Sequence, residues 1–314
     1  MITKQTIKKT ISRLLNAKPT MYSGSVVLNV LGAQIYRIGF LFLRRVVRMP
    51  KPIPLQYAHY LKELEERGIV AIPNFFSDED YAQIREEYSR LSPQFKRDES
   101  EIPLPHVCTM NIRDKRVSPW FRELFAKNQL IRAIPVAFLN RKFNLPLEAR
   151  LTRIFCSQDE LDLPKNGGTN NIHFDAPTRV LKAFYYLGDT DENNAALYYC
   201  VGSQKRNSLT RLLFEYKLSV RYALNRGNPD HGGEYLSNEP WVKITDEEMR
   251  KYGLAEKVMA VKGNTMVFAD VGGFHRRGAF LKPGVRETVE INYRGVETLR
   301  NEFDPLIRRA QRFV

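Results

Sequence analysis

Two histidines and one aspartate have the residue types and the spacing of a metal site. His173 and Asp175 are separated by one residue, and His275 follows about a hundred residues later. On a β-strand, residues i and i+2 point to the same side, so His173 and Asp175 can bind one ion while Phe174 faces away. Two imidazoles and one carboxylate are typical of non-haem Fe(II) sites, where they leave the other coordination positions open. The spacing therefore predicts a metal centre made of His173, Asp175 and His275.

A His-x-Asp pair by itself has a second explanation. A buried histidine that is hydrogen-bonded to a nearby carboxylate is a common structural arrangement, and it needs no metal. His275 and Arg286 favour the metal site, because both fall where strands are expected. A guanidinium group is the natural bidentate partner of a carboxylate, so Arg286 could hold the far end of a bound dicarboxylic acid.

Strands and turns are predicted where such a site needs them. Residues 263–268 have the pattern of a turn and a strand that lead to His275, and residues 286–293 have the pattern of another strand. Further strands are predicted near residues 149–156, 180–187 and 195–201. One helix is predicted to follow Ser77, with Asp80 in the capping-box position, and a second to begin at Ser118 and Pro119. These elements predict a mainly β fold with flanking helices.

In order and spacing, these blocks resemble the phytanoyl-CoA dioxygenase-like (PhyH) family of Fe(II)/2-oxoglutarate-dependent oxygenases. The segment GIVAIPNFF (68–76) is similar to the family's opening strand, and AFYYLGDTDENNAALYYCVGSQK (183–205) is similar to its two central strands and corner. The segment GNTMVFADVGGFHRRGAFLKPGVRETVEINY (263–293) is similar to the strands that carry the distal histidine and the arginine. The resemblance implies a double-stranded β-helix, the jelly-roll or cupin-like barrel. It also implies Fe(II), 2-oxoglutarate as cosubstrate, and dioxygen.

Position by position, the resemblance implies a role for six residues. His173, Asp175 and His275 would be the iron ligands. Arg286 would bind the C5 carboxylate of 2-oxoglutarate, and Phe184 would line the cosubstrate pocket. Arg277, two residues after the distal histidine, would add a second positive contact to the cosubstrate or to the substrate.

The chain departs from the family's usual residues at four positions, which are Phe174, Val201, Gln204 and Arg277. The ligand set is intact. The resemblance therefore implies a dioxygenase that hydroxylates an unactivated C–H bond of a small-molecule, acyl, or lipid- or glycan-linked substrate. The ligands do not distinguish hydroxylation from desaturation or epimerisation. A jelly-roll module that binds lipid or glycan at a membrane surface without catalysis is the alternative.

Size and composition are those of a globular protein. A chain of 314 residues with 43% hydrophobic residues can bury a substantial core in one domain. Three cysteines without metal-site spacing argue against a disulfide scaffold and for a reducing compartment, so a cytoplasmic protein is expected. No basic and aromatic stripe or recognition motif is found in the body of the chain, so no nucleic-acid partner is expected.

Positive charge is concentrated at the N-terminus. Residues 1–62 contain 11 Lys or Arg and no Asp or Glu, so only +3 of the net charge of +14 belongs to the rest of the chain. Residues 1–50 are predicted to be a basic, apolar helical segment, with an amphipathic helix at 4–18 and an interrupted apolar stretch at 26–43. Three interpretations stay open: helices packed on the barrel, a peripheral membrane-surface anchor, or a targeting peptide.

A proline-rich segment at 50–54 predicts the boundary before a single oxygenase domain, residues 51–314. Residues 204–256 are predicted to be a helical insertion in this domain, with helices at 209–224 and 245–252 and a Gly/Asn/Pro-rich loop between them. Such an insertion could form a lid over the substrate. A further helix is predicted near residues 299–312.

Overall fold

A computed structural model describes residues 26–32, 52–97, 106–139, 148–161, 171–175, 179–205, 209–225 and 242–293. The described residues form twelve strands: β1 (Ile69–Ile72), β2 (Lys96–Arg97), β3 (His106–Asn111), β4 (Glu148–Cys156), β5 (His173–Phe174), β6 (Leu181–Tyr186), β7 (Leu197–Cys200), β8 (Val242–Lys243), β9 (Glu256–Met259), β10 (Thr265–Asp270), β11 (His275–Arg277) and β12 (Gly284–Tyr293). They also form seven α-helices: α1 (Val26–Val30), α2 (Ala58–Arg67), α3 (Asp78–Leu91), α4 (Pro119–Lys127), α5 (Gln129–Phe138), α6 (Leu209–Asn225) and α7 (Asp246–Lys251).

The strands form two antiparallel sheets. The larger sheet has the order β1-β10-β6-β12-β4-β3-β2, and the smaller has the order β8-β5-β11-β7-β9. The sheets face each other across a buried cluster that contains Phe184 and Val267 of the larger sheet and Leu197 and Tyr199 of the smaller one. This is the jelly-roll arrangement of a double-stranded β-helix, and it confirms the predicted fold class.

Helices α2 to α5 cover the outer face of the larger sheet. Leu64, Ile84, Phe121 and Ile134, one from each helix, are buried in a single cluster with Val289 of β12. Because side chains alternate along a strand, this packing leaves the other face of β12 directed toward the smaller sheet. β12 is therefore mainly apolar on its outer face, whereas its inner face carries the polar residues Arg286, Thr288 and Glu290.

The predicted starts of α3 and α4 are confirmed. The Ser77 side chain accepts a hydrogen bond from the Asp80 amide, and α3 ends at Leu91. The Ser118 side chain accepts a hydrogen bond from the Phe121 amide, and Pro119 is the first residue of α4. A side-chain cap of this kind stabilises a helix by about 1 kcal/mol, which explains why these boundaries could be read from the sequence.

Helices α6 and α7 cover the outer face of the smaller sheet. Phe214 and Leu218 of α6 and Met249 of α7 are buried in one cluster with Phe174 and Phe274. Both helices lie where the sequence predicts them, and α7 begins with a capping box. The predicted insertion is not purely helical, because β8 pairs with β5 and extends the smaller sheet. The flexible loop predicted at 225–233 lies outside the described residues after its first residue.

The N-terminal fifty residues are described only at 26–32. There α1 packs against α6: the Asn29 amide donates a hydrogen bond of 2.7 Å to the Ser219 carbonyl, and the Tyr216 hydroxyl donates one of 2.9 Å to the Val30 carbonyl. The helices predicted at 4–18 and 299–312 lie outside the described residues. In the part of the chain that is described, no helix has the length and apolar character needed to cross a bilayer.

Candidate metal centre

His173 and His275 are direct neighbours across two antiparallel strands. β5 and β11 pair with His275 opposite His173, and the ring centroids are 4.5 Å apart. Phe174 and Phe274, the adjacent residues in sequence, pack together on the outer side of the sheet with centroids 5.6 Å apart. Alternation along the strands therefore directs both imidazoles into the space between the two sheets. It also explains why residue 174 is a phenylalanine, because its side chain faces the core beneath α6.

Asp175 completes the cluster immediately after β5. Its amide donates a 2.9 Å hydrogen bond to the Val271 carbonyl, which connects it to the turn before β11. Asp175 Oδ1 lies 3.6 Å from Nε2 of His173 and 3.6 Å from Nε2 of His275. All three side chains are buried, and their ligand atoms lie within 4.8 Å of one another. The structure thus brings together the three residues that the sequence indicates as metal ligands.

Backbone carbonyl groups orient both imidazole rings. Nδ1 of His173 lies 2.6 Å from the Asn171 carbonyl oxygen, and Nδ1 of His275 lies 3.0 Å from the Gly273 carbonyl oxygen. Because a carbonyl oxygen only accepts, each Nδ1 carries the hydrogen and each Nε2 presents a lone pair toward Asp175. Burial lowers the pKa of His173 to about 3 and also lowers the pKa of His275. Both rings are therefore neutral at neutral pH, as metal ligands must be.

Lys182 is a fourth residue of this centre, and it was not predicted from the sequence. Its Nζ lies 2.5 Å from Asp175 Oδ2. Burial opposes the charge on Asp175, yet the Lys182 ammonium, followed by the two imidazoles, holds the pKa of the carboxyl below its usual range. Lys182 lies two residues before Phe184 on β6 and points to the same side, toward the smaller sheet.

The second oxygen of the Asp175 carboxylate, Oδ1, indicates whether a metal ion fits this site. Asp175 Oδ1 is buried and has no hydrogen-bond partner among the described residues. Leaving a buried acceptor unsatisfied costs about 1–3 kcal/mol, and more when the group is charged. A divalent cation held by Oδ1 and the two Nε2 atoms would remove that cost. The donor set of two imidazoles and one carboxylate fits Fe(II).

A second cluster of buried polar groups lies on the inner face of the larger sheet, around Arg286. Arg286 Nη1 donates a 2.6 Å hydrogen bond to the Ala195 carbonyl, but its Nε has no acceptor among the described residues. Thr288 lies two residues further along β12, and its partners across the neighbouring strands are Thr152 and Tyr186. The hydroxyl groups of these three residues are also buried without a partner in the described part of the chain.

Unpaired buried polar groups are rare in native proteins, and here four of them lie close together on one sheet face. A polar ligand between the sheets would satisfy them. A guanidinium and several hydroxyl groups match the acceptor oxygens of a carboxylate. Arg286 was predicted from its type and its place on a strand. The threonines and Tyr186 were not predicted, because they are ordinary strand residues until their register is known.

Phe184 and Arg277, the other two residues that the resemblance assigned to the site, are both buried. Phe184 lies on β6 between Lys182 and Tyr186 and belongs to the cluster between the sheets. Arg277 lies two residues after His275, on the same side of β11. Arg276 is on the opposite side and forms an ion pair with Glu256. Contacts of Phe184 and Arg277 with a cosubstrate remain a prediction.

The corner after β7 supports the strand that carries His275. The Ser203 hydroxyl accepts a 2.7 Å hydrogen bond from the Phe274 amide. Gln204 donates a 3.2 Å hydrogen bond to the Glu65 carbonyl on α2. Gly273 passes so close to the ring of Tyr199 that a Cβ atom there would collide with it. The path of the chain into β11 therefore requires glycine at this position.

Comparison with known proteins supports the fold. No protein-family model matches the sequence, and a search of curated proteins finds no match. Among solved structures, the epimerase SnoN in complex with Fe3+, alpha ketoglutarate and nogalamycin RO is similar with a TM-score of 0.50 and 14% identity, over 76% of this chain and 83% of SnoN. A second SnoN structure, described as a non-heme alpha ketoglutarate dependent epimerase from nogalamycin biosynthesis, gives a TM-score of 0.50 and 15% identity, with the same coverage.

EctD from S. alaskensis with 2-oxoglutarate and 5-hydroxyectoine has a TM-score of 0.47 and 12% identity, over 77% of each chain. The likeness to SnoN concerns the jelly-roll fold. The chemistry of this chain has to be argued from its own residues.

Proposed function

We propose that the chain is an Fe(II)- and 2-oxoglutarate-dependent dioxygenase. The observation that carries the proposal is that two sites of complementary chemistry lie on the facing sheets: the His173, Asp175 and His275 cluster, and the unpaired polar groups around Arg286. A set of three metal-ligating side chains alone is compatible with many reactions. Three such ligands that face a buried guanidinium fit a cosubstrate that chelates the metal at one end and carries a carboxylate at the other. SnoN, which shares the fold, is described as alpha ketoglutarate dependent.

In this proposal each group of residues has a separate task. His173, Asp175 and His275 would hold Fe(II), and Arg286 with Thr288 would bind the distal carboxylate of 2-oxoglutarate. Phe184 would form an apolar wall of the pocket, and burial of the whole site would exclude water. When bound, iron and 2-oxoglutarate would supply the oxidising power. Dioxygen would be divided between succinate, which forms with release of carbon dioxide, and the substrate, whose C–H becomes C–OH.

The chain's own contribution would be to hold the oxidant next to one C–H bond of the substrate. Positioning of this kind accounts for much of the rate enhancement in enzymes that bring two reactants together. We propose a small-molecule or lipid-like substrate and hydroxylation as the outcome. Incubation with candidate substrates should therefore give products heavier by one oxygen atom, whereas an epimerase would leave the mass unchanged.

Formation of a complex of the protein with Fe(II) and 2-oxoglutarate tests the proposal before any substrate is known. Anaerobic addition of Fe(II) and 2-oxoglutarate should produce a visible charge-transfer band, and admission of air should then give succinate slowly. His173→Ala and Asp175→Ala should lose both signals. His59→Ala is the matched control, because His59 is exposed and lies outside the site.

A folded wild-type chain that gives neither the band nor succinate would contradict the proposal. Such a result would favour a jelly-roll module that binds its ligand without catalysis. The same result in the variants alone would support the assignment of the ligands.

A further inference from the structure

We infer that α1 and α6 together form a docking surface for an anionic lipid bilayer. The inference is independent of the proposed enzymatic activity. It begins from the distribution of exposed apolar side chains. Eleven large hydrophobic residues are exposed in the described part of the chain, and six of them lie on α6, on α1 or in the turn that follows α1. We call these six the apolar surface: Val27, Val30, Leu31, Leu209, Leu213 and Leu224.

On α6 the exposed residues follow one stripe of the helix. Leu209, Leu213 and Leu224 are separated by four and eleven residues, which corresponds to about one and three helical turns. Their exposed fractions are 72%, 53% and 62%. The opposite side of the same helix carries Phe214 and Leu218, which are buried against the smaller sheet. The helix is therefore apolar on the side that packs and also on the side that faces away.

On α1 the exposed residues lie opposite the contact with α6. Asn29 is completely buried and donates to the Ser219 carbonyl, while Val27 and Leu31 on the other side are about two-thirds exposed. The Tyr216 hydroxyl of α6 donates to the Val30 carbonyl, so the two helices lie side by side. Two adjacent helices thus both carry exposed apolar residues, whereas most soluble surfaces expose such residues singly.

The charges of α6 and of the sequence that flanks α1 favour a bilayer with anionic headgroups. The only acidic residue of α6 is Glu215, which is buried and forms an ion pair with Arg211. Lys217 is exposed on α6, and Lys205 and Arg206 precede the helix in sequence. The sequence on either side of α1 is also basic, since residues 1–62 contain 11 Lys or Arg and no acidic residue. Apolar side chains flanked by cations are the pattern of surfaces that insert between anionic lipids.

Docking on this surface would place the bilayer against the helix that covers the outer face of the smaller sheet. Phe214 of α6 packs on Phe274, with centroids 5.8 Å apart, and His275 is the next residue. The helix that meets the bilayer would thus be the same helix that supports the strand carrying a metal ligand.

Co-sedimentation of the full chain with vesicles tests this inference. Vesicles of phosphatidylglycerol and phosphatidylcholine should bind the wild type, and vesicles of phosphatidylcholine alone should bind it less. The double variant Leu213→Glu/Leu224→Glu should bind at least about tenfold more weakly. The double variant Leu55→Glu/Leu281→Glu is the control, because both leucines are exposed but lie outside the apolar surface. Equal binding of Leu213→Glu/Leu224→Glu and the wild type would overturn the inference. The lipid would then be bound by another part of the chain, such as the basic N-terminus.

Light scattering without lipid tests the other occupant, which is a second copy of the chain. If the wild type were a dimer and Leu213→Glu/Leu224→Glu a monomer, the surface would be a self-association interface and the inference would be wrong. The charge-transfer band with Fe(II) and 2-oxoglutarate should be the same in all of these proteins. Its loss in the wild type would count against the proposed function and leave the lipid result unaffected.

Discussion

Among the charged groups around Asp175, Lys182 contributes most to keeping the carboxylate ionised. The pair is largely buried, so removal of the ammonium would leave a charged oxygen without a partner. We expect Lys182→Met to lower the free energy of unfolding of the metal-free protein by about 3 kcal/mol, the lower end for breaking a buried ion pair. Urea unfolding in the presence of a chelator measures this loss.

Co(II), a redox-stable substitute for Fe(II), should stabilise Lys182→Met more than the wild type, because the metal supplies the missing positive charge. Lys262→Met is the matched control. Lys262 also pairs with a carboxylate, Asp189, at 2.7 Å, but both side chains are mostly exposed. Exposed pairs contribute about 0–1 kcal/mol, so this variant should resemble the wild type. Equal stability of the two lysine variants would contradict the role given to Lys182.

Arg286 allows a separate prediction about the cosubstrate. Arg286→Leu should weaken 2-oxoglutarate binding by about 100-fold, because loss of a buried charged partner costs about 2–5 kcal/mol. Titration of the charge-transfer band measures the affinity directly. Arg276→Leu should leave it unchanged, since Arg276 lies on the outer side of β11 with Glu256. If both variants bound 2-oxoglutarate as the wild type does, the carboxylate would lie elsewhere.

The residues of the site differ in how far they could be predicted from the sequence. His173, Asp175, His275 and Arg286 have side chains with defined chemical uses, and their order along predicted strands, together with the family resemblance, indicated the site. Lys182 could not be assigned, because its contact with Asp175 depends on how two sheets face each other. Thr288 became notable only when the register placed it opposite Thr152 and Tyr186.

At the scale of elements, β11 is held in place by close packing at Gly273. A Cβ atom at that position would collide with the ring of Tyr199. We expect Gly273→Ala to destabilise the protein by about 1–3 kcal/mol, as overpacking usually does, and to weaken Co(II) binding by displacing His275. Gly188→Ala is the control, because nothing lies within 4 Å of a Cβ atom there. Unfolding midpoints and cobalt absorption report the two effects, and unchanged cobalt binding in Gly273→Ala would show that β11 tolerates the shift.

The elements themselves were largely predictable where local signals are strong. α3, α4 and α7 begin with side-chain caps, and β4 and β6 have the length and apolar content of buried strands. β8 was missed because two residues carry no periodicity, and it exists only through pairing with β5. The packing of α1 on α6 could not be predicted from the sequence either, because the contact joins residues 190 positions apart.

At the scale of the whole molecule, the two sheets enclose several buried ionisable groups. His173 and His275 are neutral in the folded state because burial opposes protonation. Burial also opposes the charge of Glu290, but Arg150, Arg286 and Lys182 outweigh it and hold the pKa of the carboxyl below its usual range. Each of these groups binds a proton more readily in the unfolded chain, so acid should favour unfolding.

The two buried histidines set the pH range in which acid destabilises the fold. An unfolded histidine has a pKa of about 6.5, whereas the pKa of His173 in the fold is about 3. Between these values the unfolded chain holds a proton that the folded chain lacks. The free energy of unfolding of the metal-free protein should therefore be constant above about pH 7 and fall below about pH 6.5. The slope is at most about 1.4 kcal/mol per pH unit for each histidine.

Urea unfolding at about pH 8, 6 and 5, with a chelator present, measures this slope. His173→Gln/His275→Gln should flatten the curve between about pH 6.5 and pH 5, because the amides do not titrate. Asp175 and Glu290 would then still destabilise the protein, but only at pH values near and below the usual carboxyl pKa of about 4. His59→Gln, which changes an exposed histidine, should retain the wild-type slope. A wild-type slope in the double variant would mean that the two imidazoles can be protonated in the folded protein, and the neutral ligand pair inferred from their burial would be wrong.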